Sequence, residues 1–247
     1  MSLRTKESDP ISRWESIPPL LTTQHKSSQP LSLQLREGTK DAHRWVERLA
    51  FVRSFLRGVI DPRSYQCLLR DLHTVYGALE EGLRRHAHHP VLGWSAWPLL
   101  WRQNALSEDL DYLAMRLPTS GLRDLPWQKQ PPSSAALRYA ARIFAHADHS
   151  PTLLLAHAYT RYLGDLSGGQ ILRRIVGFSL GLPGPDGLRF YDFSQIPNHG
   201  QFKQDFRSWL DRLPLSVTEQ HAVVQEAIAA FAANGALFEE LAPRAGS

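Results

Sequence analysis

Apolar residues recur along most of the chain at the three- and four-residue spacing of an amphipathic helix. The first such segment contains Leu31, Leu35, Thr39, Ala42, Val46 and Leu49. A longer one follows Asp61 and Pro62, a pair typical of a helix start, and continues through Leu68 and Leu79. Convincing apolar–polar alternation of the kind found in half-buried strands is absent from the sequence. The pattern therefore predicts an all-α fold.

Capping residues predict where the other helices begin. The predicted starts are Ser107, Ser133 or Ser134, Ser150, Asn198 and Ser216, the last with Glu219 in a capping-box pattern. The predicted ends are near His86, Pro118, Ala147, Leu180 and Leu241. About eight helices result. We expect them to form one domain over residues 31–241, preceded by a mobile extension (1–30) and followed by a short tail (242–247).

The predicted helix that starts at Ser150 contains three interior glycines, Gly164, Gly168 and Gly169. A glycine inside a helix costs about 1 kcal/mol relative to alanine. At about 100° per residue, the glycines share an arc of roughly 140° with Arg161 and Asp165. Such a bare face fits a flat ligand lying against the backbone, with one carboxylate at its edge. The alternative is a close crossing with another helix through small residues.

His43 lies at the edge of the apolar stripe of the first segment, where its ring could face a pocket. Thr39 and Glu47 are its neighbours one turn away on the same face. A ligating imidazole commonly donates its second N–H to an acceptor, and Glu47 could serve as one. Two further groups of histidines, His86, His88 and His89, and His146 with His149, lack the acidic support of a dedicated metal site. His157 is expected to pack in the interior.

Composition narrows the classes of function. The 247 residues are 43% hydrophobic and 21% charged, with a net charge of +4 and a single cysteine, which excludes an internal disulfide. No basic run resembles a nucleic-acid arm, and no P-loop, dinucleotide fingerprint or nucleophile elbow occurs. Lys203 and Arg207 lie one turn apart and could clamp carboxylates or phosphates, or could form a solvated basic face. No apolar run is long enough to span a membrane, so we expect a soluble, cytoplasmic protein.

Several segments, taken in order, resemble the heme oxygenase family. Ala156 to Gln170 resembles the distal-helix signature of that family, and Leu35 to His43 resembles its proximal helix. Tyr76 to Glu81, Phe202 to Gln204, and Asn234 with Phe238 to Leu241 also follow the family order. The resemblance covers about residues 31–241. It implies a single all-α domain in which heme is sandwiched between a proximal helix and a glycine-kinked distal helix.

The resemblance also implies residue roles. His43 would be the axial ligand to the heme iron, and Gly164 would let the distal helix approach the macrocycle. Asp165 would hold an ordered water that delivers a proton, supported by Tyr76, Arg161 and Asn234. The implied heme-binding residues are Arg36, Thr39, His43, Glu47, Tyr159, Thr160, Gly164, Ser167, Gly168, Gly169, Lys203 and Arg207. Arg36 stands where the family often has lysine, which keeps the charge and alters the reach.

The implied reaction converts heme b and O2 to biliverdin IXα, carbon monoxide and ferrous iron. Electrons would come from reduced ferredoxin or an NADPH-dependent reductase. We expect a monomer without the membrane anchor of animal members, in the cytoplasm or, in a photosynthetic eukaryote, in the plastid stroma. Two alternatives stay open from the sequence, a heme carrier without turnover and an unrelated helical bundle.

Overall fold

The computed structural model describes residues 29–116 and 126–241. Within those residues the chain forms nine α-helices and no strand, which confirms the predicted all-α class. The helices are α1 (Leu31–Gly38), α2 (Lys40–Glu47), α3 (Ala50–Leu56), α4 (Pro62–Arg85), α5 (Gln103–Arg116), α6 (Ser134–His149), α7 (Leu154–Ser179), α8 (His199–Leu210) and α9 (Val217–Leu241). Most of the predicted extension, the predicted tail and the predicted end near Pro118 lie outside the described residues.

Side-chain caps begin several of the helices where the sequence predicts. Asp61 accepts a hydrogen bond from the Ser64 backbone N–H at 2.7 Å, with Pro62 in the first turn of α4. Ser133 caps α6 in the same way at 3.0 Å, and Asn198 caps α8 at 2.9 Å. The Ser216–Glu219 capping box forms at the start of α9, with the Ser216 N–H 2.8 Å from Glu219 Oε2.

Two predicted boundaries are wrong. The first segment breaks at Thr39, whose hydroxyl donates to the Leu35 carbonyl at 2.7 Å, so α1 ends and α2 begins there. Helix α5 begins at Gln103 rather than at Ser107. Its first turn is capped by Glu80 of α4, whose Oε1 accepts from the backbone N–H groups of Arg102 and Gln103. A cap supplied by another helix leaves no local signature in the sequence.

Helix α9 is the support on which the other elements of the site are placed. It packs against α1, α2, α4, α6 and α7. A Cβ at Gly38 would lie 2.6 Å from Val224 Cγ1, and a Cβ at Gly235 would lie 2.2 Å from Trp45 Cζ3. Both distances are shorter than real contacts, so α1 and α2 approach α9 through glycine. No helix among the described residues is long and apolar enough to cross a membrane.

Candidate functional site

The glycine face of α7 is open. Among the described residues, nothing outside the helix's own backbone and the adjacent residues lies within 4 Å of a Cβ built at Gly164 or at Gly168, and at Gly169 the nearest such atom is Tyr191 Cδ1 at 3.7 Å. Helix α7 continues through all three glycines from Leu154 to Ser179. A close helix–helix crossing at Gly164 and Gly168 is therefore wrong, and the bare strip is a surface on which something else can lie.

His43 lies on α2, and its side chain is 56% exposed. Its Nδ1 is 3.6 Å from Glu47 Oε2, as the one-turn spacing predicts. The imidazole packs edge-on against Phe231 of α9, with 5.6 Å between ring centroids and 79° between ring planes. The carboxylate and the phenyl ring together restrict the orientation of the imidazole. Phe231 was missed in the sequence, although it lies one turn before Asn234.

Asp165 belongs to a network that joins three helices. The Tyr76 hydroxyl, from α4, donates to Asp165 Oδ2, and Arg161 Nε donates to that hydroxyl at 3.1 Å. A terminal nitrogen of Arg161 lies 3.6 Å from Asp165 Oδ1. The other terminal nitrogen donates to Asn234 Oδ1, and Asn234 Nδ2 donates to the Ala230 carbonyl at 2.7 Å. The four residues predicted to act together are therefore in contact.

Burial decides the protonation of this network. Burial raises the pKa of Asp165, and the charge of Arg161 and the hydrogen bond from Tyr76 only partly oppose it. The charge of Arg102 also lowers the pKa of Asp165, a contribution that the sequence did not reveal. Burial likewise raises the pKa of Tyr76 well above its usual value, so Tyr76 stays a hydrogen-bond donor. A carboxyl group with a raised pKa can hold a proton closer to neutral pH and release it.

A cationic edge borders the glycine strip. Lys203 Nζ donates to Ser167 Oγ at 3.2 Å, which places the ammonium group beside Gly168. Burial raises the pKa of Tyr159, and the charges of Arg207 and Arg36 lower it. Helices α1 and α8 thus supply cations along the first half of α7, between Tyr159 and Ser167.

One of the residues predicted to bind the ligand lies outside the groups of contacts described above. Thr160 is buried, 6% exposed, and its hydroxyl has no hydrogen-bond partner among the described residues. The remaining predicted residues divide into the His43–Glu47 pair, the Asp165 network, the glycine strip and the cationic edge. Helix α9 connects the first two, because Phe231 contacts His43 and Asn234 contacts Arg161.

The open glycine strip, the partly exposed histidine and the cationic edge define a protein that holds a flat, anionic ligand on a helical scaffold. Residues 29–240 match the family model described as heme oxygenase. The chain is 41% identical over 212 residues to a heme oxygenase of Rhodella violacea, covering 85% of this chain and 86% of that protein. It is 38% identical to heme oxygenase 1 of a Nostoc strain, with 87% of both chains covered.

Solved structures agree with the sequence relatives. Heme oxygenase-1 from the cyanobacterium Synechocystis sp. PCC6803, solved in complex with heme, superposes with a TM-score of 0.79 at 38% identity, covering 87% of this chain and 93% of that one. A heme oxygenase from Leptospira interrogans superposes with a TM-score of 0.78 at 39% identity, and the match covers 86% of this chain and 100% of that one. The chain belongs to the heme oxygenase family and is an enzyme of that class.

Proposed function

We propose that this enzyme cleaves heme at the α-meso carbon to biliverdin IXα, carbon monoxide and ferrous iron. Heme is both substrate and cofactor, O2 is the oxidant, and electrons come from reduced ferredoxin or an NADPH-dependent reductase. The observation that carries the proposal is the open strip at Gly164 and Gly168 with the Asp165 network at its border.

The residues present fit heme. A planar macrocycle needs a helix surface without side chains. Among the described residues, nothing outside the helix's own backbone lies within 4 Å of a Cβ built at Gly164 or Gly168. His43, on α2, offers an imidazole that would ligate the heme iron. Glu47 and Phe231 hold that ring in one orientation. When bound, heme would supply the iron that activates O2 and the carbon framework that is oxidised.

Asp165 controls the protons in this proposal. Oxygen activation consumes protons, and general acid–base groups typically contribute about 10²–10⁴-fold to a rate. The Asp165 carboxyl lies beside Gly164, and Tyr76 and Arg161 fix its two oxygens. The raised pKa of Asp165 favours a carboxyl that exchanges a proton through an ordered water. Asn234 keeps the Arg161 guanidinium in place.

The cationic edge would set the site of cleavage. Heme carries two propionates, which pair with arginine and lysine side chains. Lys203 contacts Ser167 within the glycine strip, and the charges of Arg207 and Arg36 act on Tyr159, which precedes the strip on α7. Fixing the propionates there fixes the rotation of the macrocycle, and therefore which meso carbon faces the oxygen. We infer α-cleavage from this placement of the basic pair.

Electron delivery and assembly complete the proposal. The chain carries a net charge of +4, which suits an acidic ferredoxin or reductase docking beside the heme edge. All site residues come from one chain, so a monomer suffices for the chemistry.

The experiment is a hemin titration followed by turnover with reduced ferredoxin in air. Loss of the heme Soret band with growth of the broad red biliverdin absorption is expected, and chromatography identifies the isomer. Asp165→Asn should still bind hemin and should lose about 10²–10⁴-fold in biliverdin formation. The matched control is Asp205→Asn, because Asp205 is exposed on α8 and pairs only locally with Gln201. A heme complex that persists unchanged through reduction in air would instead identify a carrier.

A further inference from the structure

A second cluster of ligating side chains lies away from the glycine strip. His146 of α6 and His157 of α7 each place Nε2 at 3.2 Å from the same oxygen, Oε1 of Glu226 on α9. The ligand atoms of the three residues lie within 4.8 Å of one another. His157 is completely buried, Glu226 is 5% exposed and His146 is 17% exposed. The three helices therefore meet at a nearly dry group of two imidazoles and one carboxylate.

The geometry is unusual for hydrogen bonding. Neither Nε2 is aligned to donate to Glu226 Oε1, and Nδ1 of His157 also has no hydrogen-bond partner among the described residues. A buried polar group without a partner is uncommon and requires an explanation. The two rings are 5.5 Å apart with 32° between their planes, so they approach the carboxylate side by side. Both Nε2 atoms lie at the same distance, 3.2 Å, from Glu226 Oε1.

Ligand atoms around a metal ion have this separation. Zinc binds imidazole nitrogen and carboxylate oxygen at about 2.0–2.2 Å, which puts neighbouring tetrahedral ligands roughly 3.3 Å apart. Neighbouring ligands of an octahedral ion at similar bond lengths are roughly 3 Å apart. The observed nitrogen–oxygen separations of 3.2 Å fit either arrangement. Two histidines and one carboxylate form a donor set that suits Zn²⁺ and also non-heme Fe²⁺.

We propose that His146, His157 and Glu226 form a binding site for a divalent first-row transition metal, separate from the heme site. The partly exposed side chain of His146 marks the route by which an ion enters. The proposal does not depend on heme binding, since none of the three residues belongs to the glycine strip, the Asp165 network or the cationic edge.

Arg142 competes for the same carboxylate. Its Nε donates to Glu226 Oε1 at 2.6 Å, and a terminal nitrogen donates to Oε2. Its side chain is 46% exposed, so the guanidinium can turn toward solvent when an ion arrives. The positive charge of Arg142 opposes a cation at this site. If the cluster is a metal site, removing the charge of Arg142 should strengthen metal binding. If the cluster serves only as an ion pair, the same change would only weaken it.

The experiment is a titration of the full-length chain with Zn²⁺, and in a separate arm with Fe²⁺ without oxygen, read by equilibrium dialysis. Wild type is expected to retain one ion per chain that His146→Gln does not. The affinity should fall by at least about 100-fold, because even changes outside the ligand shell cost about 10–100-fold. His149→Gln is the matched control, because His149 is exposed at the end of the same helix. Arg142→Gln should bind the ion at least as tightly as wild type.

Zinc-edge X-ray absorption gives an independent measurement. Two imidazole nitrogens at about 2.0–2.1 Å are expected in wild type, and one or none in His146→Gln. Circular dichroism checks that each variant is folded. Identical metal retention by wild type and a folded His146→Gln variant would overturn the proposal, as would weaker binding by Arg142→Gln. Retention of Zn²⁺ alone, or of Fe²⁺ as well, would support it and identify the ion.

Discussion

Replacing Gly168 by alanine should change stability and heme binding in opposite directions. A Cβ at Gly168 meets no atom within 4 Å, so the added methyl group causes no clash in the heme-free protein. Alanine is favoured over glycine in a helix interior by about 1 kcal/mol. For a domain of this size, that gain corresponds to a rise in Tm of about 2–4 °C. The heme-free variant should therefore be more stable than wild type.

The same methyl group should weaken heme binding, because it occupies the space proposed for the macrocycle. Overpacking of a well-fitted site typically costs about 1–3 kcal/mol. This range corresponds to a loss of affinity of roughly 5- to 150-fold. Thermal unfolding of the heme-free chain by circular dichroism and hemin titration by absorbance measure the two effects separately.

Gly235→Ala is the matched control, since Gly235 is also a helical glycine but is packed. Its Cβ would lie 2.2 Å from Cζ3 and 2.3 Å from Cη2 of Trp45, so the heme-free protein should lose about 1–3 kcal/mol. If Gly168→Ala lowers the Tm of the heme-free chain, the strip is packed rather than open. If it raises the Tm but leaves hemin affinity unchanged, heme lies elsewhere.

Two further predictions concern the cationic edge and a buried carboxyl group. Lys203→Ala and Arg207→Ala should retain turnover but yield mixed biliverdin isomers by chromatography, because the propionates lose a fixed partner; a pure α isomer from both variants would contradict the proposed role. Asp109 accepts hydrogen bonds from the backbone N–H groups of Arg189 and Phe190, each at 2.8 Å, and burial raises its pKa to about 6. Because this folded-state pKa exceeds the unfolded value of 3.8, the folded chain binds more protons between about pH 4 and pH 6. The free energy of unfolding should therefore fall by on the order of 3 kcal/mol across that window as pH rises, and Asp109→Asn should flatten the fall in urea titrations.

Helix starts with side-chain caps were predictable, because a cap and the N–H groups it satisfies are adjacent in the sequence. Asp61, Ser133, Asn198 and Ser216 all act as predicted. Helix α3 and the break between α1 and α2 were not predicted. The interior face of α3 is short, with Phe55 as its one fully buried residue among those described, so its periodicity is weak.

The functional site likewise has features that local sequence patterns predict and features that they do not. The pairing of His43 with Glu47 and the open glycine face could be predicted, since one-turn neighbours and a run of glycines are local features, whereas the role of His43 as an iron ligand was implied only by resemblance and stays a prediction. The Tyr76–Asp165–Arg161–Asn234 contacts were implied only by resemblance, because the residues come from three helices. The cluster of His146, His157 and Glu226 was missed altogether. The sequence shows no acidic residue placed to support His146, and the fold supplies one from α9.

The glycines show why residue type alone could not separate function from packing. Gly164 and Gly235 both lie inside helices, where glycine lowers helix stability relative to alanine. At Gly235 the lost propensity is offset by the indole of Trp45, which brings α2 and His43 onto α9. At Gly164 no protein atom occupies the space, so nothing within the described chain offsets the loss. A destabilising residue without a compensating contact is expected where a ligand supplies the contact. We therefore expect the open position to lie on the ligand-binding surface, whereas the filled position fixes α2, which carries His43, on α9.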